Sequence, residues 1–213
     1  MKKIDGRSLA WGIALLAAFG LWTALVLWVD VQPIGPENSR VGLAQINGWF
    51  HGLTGVHMWL YTLTDWLSLL PLAAVMGFGL LGASQWWRRK DIRRVDPSIL
   101  ALGGFYLVVL AAFGLFEAVE INARPVLIQG VLETSYPSST TMLVLCVMPT
   151  AVWQLRSRGC SPWVTGAMTV FTLGMVAGRA LSGVHWLTDL VGGALLSGGL
   201  VLLYRAVCKQ WEK

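Results

Sequence analysis

Charge is scarce in this sequence. Asp, Glu, Lys and Arg make up 13% of its 213 residues, too few to cover a soluble domain of that length, which excludes an ordinary water-soluble globular protein. Cysteine is scarce as well. Cys146, Cys160 and Cys208 lie far apart with no metal-type spacing, so neither a disulfide framework nor a zinc site is expected. No Asn-x-Ser/Thr acceptor occurs, which suits a bacterial plasma membrane. The net charge of +5 is not a nucleic-acid signal, because the basic residues border apolar runs rather than forming a patch. No nucleic-acid partner is expected.

Apolar length is what the chain has in abundance. Hydrophobic residues reach 55%, with 12 tryptophans placed as interfacial belts would be. Six stretches have roughly the 20 residues that carry a helix across a bilayer. They run from about Leu9 to Val29, Trp59 to Leu81, Ile99 to Phe116, Tyr136 to Trp153, Trp163 to Arg179 and Leu187 to Tyr204. The expected fold is all-α, a polytopic membrane helix bundle of six transmembrane spans forming a single integral membrane domain over residues 1–213. Lys2, Lys3 and Arg7 resemble the start of a signal peptide. The run that follows is long and lacks a small-x-small cleavage site, so it reads as an uncleaved first span. After it, Pro33 and Pro36 exclude regular helix. Leu43, Ile46, Phe50 and Leu53 then recur at helical spacing and predict a short interfacial helix.

Orientation follows from the cations. Thirteen of the 16 Lys and Arg residues fall in the segments that alternate to one side, and only Arg40, Arg124 and Arg179 lie elsewhere. Positive charge favours the cytoplasmic side of short loops. Both termini are therefore expected in the cytoplasm, and Arg124, Ser138, Arg179 and His185 are expected together at the outer face. The short termini suit a bacterial plasma membrane.

Ionisable groups at the edge of an apolar segment are costly unless used or paired, and residues 178–189 collect three. His185 and Asp189 are four apart, so on a helix they share a face and can hydrogen-bond. Ser182-Gly183 supplies a bend that can bring Arg179 round to them. A histidine oriented by a carboxylate beside a guanidinium suits attack on phosphorus. Asp65, about two turns inside the second span, needs a partner such as an outer-face arginine. Glu120, four residues before Arg124, is spaced for a helix-edge ion pair with it. One carboxylate, Glu117, makes no metal site. Gly192, Gly193, Gly198 and Gly199 suit close helix packing. His51 and His57 could supply an acid if their segment folds over the site.

Three segments within residues 117–189 resemble the signature motifs of the type-2 phosphatidic acid phosphatase superfamily, which shares its fold with vanadium haloperoxidases. The family pattern is Lys-x6-Arg-Pro, Pro-Ser-Gly-His and Ser-Arg-x5-His-x3-Asp. Here the segments read Glu117-x6-Arg124-Pro125, Pro137-Ser138-Ser139-Thr140 and Gly178-Arg179-x5-His185-x3-Asp189. The resemblance implies that His185 takes the phosphoryl group as a phosphohistidine and that Asp189 orients its ring. It further implies that Arg124 and Arg179 clamp the phosphoryl oxygens, and that Ser138, Ser139 and Thr140 lie at a helix start that favours an anion. Glu117 stands where the family has lysine, and Thr140 where it has its general-acid histidine; Glu117 and Glu120 are candidate modulators of the site. Losing a general acid costs about 10²–10⁴ in rate. That cost is largest for an alcohol leaving group, whose pKa is of the order of water's ~15.7. It is small for a phosphate monoester, which has a second pKa near ~6. The departures thus point to a lipid diphosphate such as undecaprenyl diphosphate, or to phosphotransfer, with membrane lipids as the surroundings and no cofactor. A catalytically silent relative that binds phospholipid head groups or partner proteins is the alternative.

Overall fold

The apolar runs become helices because a backbone in hydrocarbon must satisfy its own N–H and C=O groups. The computed structural model describes residues 4–209, so the charges at Lys2, Lys3 and Lys213 lie outside the described residues. Helix α1 covers Gly6–Trp28, α2 Ala44–Thr54, α3 Met58–Leu67, α4 Leu69–Arg89, α5 Pro97–Ala118, α6 Ser139–Ser157, α7 Pro162–Leu181 and α8 Leu187–Cys208. Paired extended backbone among the described residues is confined to isolated bridges, including Ala123 with Thr134 and Ile128 with Val131. The short helix expected after Pro36 is α2.

Among the described residues, five helical stretches are long and apolar enough to cross a membrane: α1, the run 58–89 formed by α3 and α4, α5, α7 and α8. The chain is a multi-pass, all-helical membrane protein. The expected sixth span, α6, is not among the five. Its 19 residues include Thr140, Thr141, Thr150 and Gln154, all buried. This helix runs through the middle of the bundle against α4, α5, α7 and α8, so protein rather than lipid meets its polar side chains. Gln154 donates to the Ser98 carbonyl at 3.1 Å and to Tyr204 at 2.6 Å.

Small residues let α1 and α8 pack closely. Helices α1 and α8 run antiparallel, and a Cβ on Gly199 would lie 2.7 Å from Leu16 and 3.2 Å from the Gly12 carbonyl oxygen. The two ends of the bundle then differ in kind. At one end Arg89 and Arg158 approach Asp96 at 3.2 and 3.8 Å, and Lys209 reaches Asp5 at 3.0 Å. At the other end the turn between α7 and α8, the start of α6 and the 119–138 connection meet.

Candidate active site

The 119–138 connection folds back on itself, because the Arg124 amide donates to the Glu133 carbonyl at 3.0 Å and the Ser135 amide to the Asn122 carbonyl at 2.8 Å. That places the Arg124 side chain beside Glu133, with Nε 3.1 Å from Oε2. The approach lacks hydrogen-bond alignment, and Nε and Nη1 of Arg124 are buried without a hydrogen-bond partner among the described residues. Helix α5 ends at Ala118, so Glu120 and Arg124 do not share a helix. The expected Glu120–Arg124 pair is corrected to Glu133–Arg124.

The same connection is tied to the start of α8. Trp186 Nε1 donates to the Ala123 carbonyl at 2.7 Å, and the Ser138 amide donates to the Asp189 carbonyl at 3.0 Å. His185 thereby faces Arg124 across a recess of about 40 Å³, whose walls also include Glu117, Glu133, Ser135 and Ser139. Arg179 stands behind it, fully buried. Its Nη1 donates to Thr64 Oγ1 at 3.0 Å, its Nη2 lies 3.9 Å from Asp65, and its guanidinium covers the Tyr61 ring at 4.7 Å. Asp65 thus has the arginine partner expected of it. Arg124 lies 5.8 Å from the same ring, so Tyr61 brings the two guanidiniums to one place.

His185 and Asp189 come to ion-pair distance, but without the direct hydrogen bond that the four-residue spacing predicted. Helix α8 begins at Leu187, leaving His185 in the preceding turn, and Nδ1 is 3.7 Å from Asp189 Oδ2, beyond hydrogen-bond reach. Ser135 fills the gap, with its hydroxyl 2.9 Å from His185 Nδ1 and 2.5 Å from Asp189 Oδ2. Asp189 also accepts the Trp186 amide at 2.8 Å and the Thr188 hydroxyl at 3.4 Å. Behind it Asn47 from α2 caps the helix start, accepting from the Thr188 amide at 3.1 Å and donating to its hydroxyl at 3.0 Å. The Nε2 atom of His185 is buried and has no hydrogen-bond partner among the described residues. Burial, more than any other influence, pushes this imidazole down to about 4; the charges of Arg124 and Arg179 act the same way, and Asp189 opposes them.

The remaining expected residues divide. Ser138 is the buried cap of α6, accepting from the Thr141 hydroxyl at 3.0 Å. Ser139 lines the recess, whereas Thr140 lines a neighbouring apolar groove. Glu120 is exposed, and it and the two other histidines lie off the recess wall. His51 packs on Trp186 at 5.5 Å, while His57 meets the turn through its amide, 2.9 Å from the Ser182 carbonyl. Among the described residues no cluster of three His, Cys, Asp or Glu side chains is placed to hold a metal. Tyr61, Glu133, Ser135, Asn47 and Thr188 were not visible as site residues in the sequence. Only Ser135, three residues before the Ser138 of the second motif, carried a positional hint.

Residues 116–212 match the description of the PAP2 superfamily. That segment belongs to the PAP2 superfamily. The PAP2 segment contains Glu117, Arg124, Glu133, Ser135, Ser139, His185 and Asp189, while Tyr61 and Asn47 reach the site from outside it. A transmembrane PAP2-type phosphatidylglycerolphosphate phosphatase from Bacillus subtilis, known from its crystal structure, has a similar fold. It superposes with a TM-score of 0.58 over 93% of this chain and 96% of its own, at 19% identity. No curated protein matches the chain by sequence.

Proposed function

We propose that this chain is a membrane lipid phosphatase or phosphotransferase acting on a polyprenyl diphosphate, or a similar lipid phosphate, through a phosphohistidine at His185. The observation that supports this reading most is the bare, buried Nε2 of His185 at a recess shared with Arg124. In the first step the Nε2 lone pair bonds to phosphorus as the bond from phosphorus to the leaving oxygen breaks. In the second, water attacks phosphorus, the P–N bond breaks, and phosphate and neutral imidazole are released. An alcohol acceptor in place of water makes the reaction a phosphotransfer. Asp189 orients the ring, Arg124 and Arg179 take the phosphoryl charge, and Ser138, Ser139 and Thr140 place the start of α6 toward the anion.

Membrane placement belongs to the same reading: α6 acts as a sixth span, both termini face the cytoplasm, and the recess opens at the outer surface of a bacterial plasma membrane. The lipid tail gains lateral access through the apolar groove of about 530 Å³ between α4, α5 and α6, which shares Phe113, Ser139 and Met142 with the recess. With Thr140 in the general-acid position, undecaprenyl diphosphate is expected to turn over faster than phosphatidic acid. Phosphate release by purified protein, with His185→Ala alongside, and trapping of a labelled phosphoenzyme test this. A preference for the monoester, or release that survives His185→Ala, would count against it. The alternative is a catalytically silent relative that binds phospholipid head groups or partner proteins; binding of lipid phosphate without turnover by either protein would support that instead.

A further inference from the structure

We propose that Ser135 is a positioning residue that joins Asp189 to His185 and fixes the imidazole as its Nδ1–H tautomer. The inference rests on His185 being the attacking group, since only then does the tautomer matter. Ring and carboxylate approach to 3.7 Å, too far for a direct hydrogen bond, so the hydrogen-bonded route from carboxylate to ring runs through an intermediary. Asp189 receives three donors: the Trp186 amide, the Thr188 hydroxyl and the Ser135 hydroxyl. A carboxylate that collects donors in this way is an acceptor, so the Ser135 proton points to Asp189. The Ser135 oxygen then has only lone pairs to offer His185 at 2.9 Å, and Nδ1 must carry the hydrogen. What remains on the ring is Nε2 with its electron pair.

Each link is anchored by a further hydrogen bond. The Ser135 amide is bonded to the Asn122 carbonyl at 2.8 Å, and its side chain is buried. Thr188 accepts from Asn47 at 3.0 Å, which turns the Thr188 proton towards Asp189. As Nε2 bonds to phosphorus, positive charge builds on the ring. The Nδ1–H···Oγ and Oγ–H···Oδ2 bonds strengthen together, because each polarises the next. No proton needs to leave the chain.

The test reads nitrogen directly. The chain has 3 histidines, so ¹⁵N-histidine NMR of the full-length protein in nanodiscs resolves His185 once His51→Gln and His57→Gln are introduced. At neutral pH the Ser135-containing protein is expected to show a protonated Nδ1 and a bare Nε2. Ser135→Ala is expected to shift His185 towards the Nε2–H form and to slow lipid-diphosphate turnover by at least about 10²-fold, the wrong tautomer being a large loss in hydrolytic triads. Ser135→Thr keeps the hydroxyl and is expected to restore the tautomer. An Nε2–H signal with Ser135 in place would overturn the assignment without any variant. So would an unchanged Nδ1–H signal in Ser135→Ala, or a Ser135→Thr spectrum matching that of Ser135→Ala. The predicted tautomers without phosphate release from any lipid would uphold the role of Ser135 while refuting the catalytic reading.

Discussion

Burial disfavours a charged imidazole, and two nearby guanidiniums disfavour it further, so His185 stays neutral well below the ordinary histidine range, down to about 4. A nucleophilic Nε2 needs the neutral form. The acid limb of kcat/KM, which reports the free enzyme, is therefore expected near pH 4 rather than near the unperturbed ~6.5, and a pH–rate profile checks it. Stability carries the same signature. Between those two values an unfolded His185 binds a proton and the folded one does not. Its contribution is thus complete above the unfolded value and is lost as pH falls towards the folded one. Melting curves of the native protein and His185→Gln should diverge most at neutral pH and converge towards pH 4. Asn47 acts further from the ring. Asn47→Ala leaves the buried Thr188 amide without its acceptor, and is expected to cost about 1–3 kcal/mol, read as a lowered melting temperature.

The turn between α7 and α8 carries His185, and its shape depends on one residue. Gly183 has φ +68°, and a Cβ there would lie 1.7 Å from the Gly55 carbonyl oxygen. The turn is pressed against the α2–α3 connection, where the His57 amide also bonds to Ser182. Gly183→Ala must move one segment off the other and with it the His185 ring. Because small misplacements of a reacting group cost about 10²-fold, turnover is expected to fall at least that far, measured on protein whose helix content by circular dichroism is unchanged. Helix α6 shows the complementary case. Its polar residues would be poor company for lipid, and the surrounding helices supply partners instead, as Ser98 and Tyr204 do for Gln154.

In the whole bundle, basic side chains gather at the end opposite the recess, as with Arg89 and Arg158 around Asp96. Positive charge on the inner side then predicts that the recess end faces outward. With the three native cysteines replaced, Val131→Cys is expected to react with a membrane-impermeant thiol reagent on intact cells, and Arg93→Cys only after permeabilisation. Both positions are exposed, so the reverse pattern would invert the topology.

Hydropathy and the placement of cations were enough to locate the long helices, because a span must be apolar over a fixed length whatever it touches, although the second runs on past the expected Leu81 to Arg89. They were enough as well to bring Arg124, Arg179, His185 and Asp189 to one end, since span order alone decides which ends meet. Whether α6 is wrapped by protein or lipid depends on its neighbours, and its own composition is silent on that. The partners of the ionised groups were also out of reach. Glu133 meets Arg124 only because α5 stops at Ala118 and the connection doubles back. Asn47 and Thr188 are 141 positions apart when they bond. Ser135 comes between His185 and Asp189 because α8 starts two residues after the histidine. Hydrogen bonds are decided over tenths of an ångström, and only the packed backbone sets distances that fine.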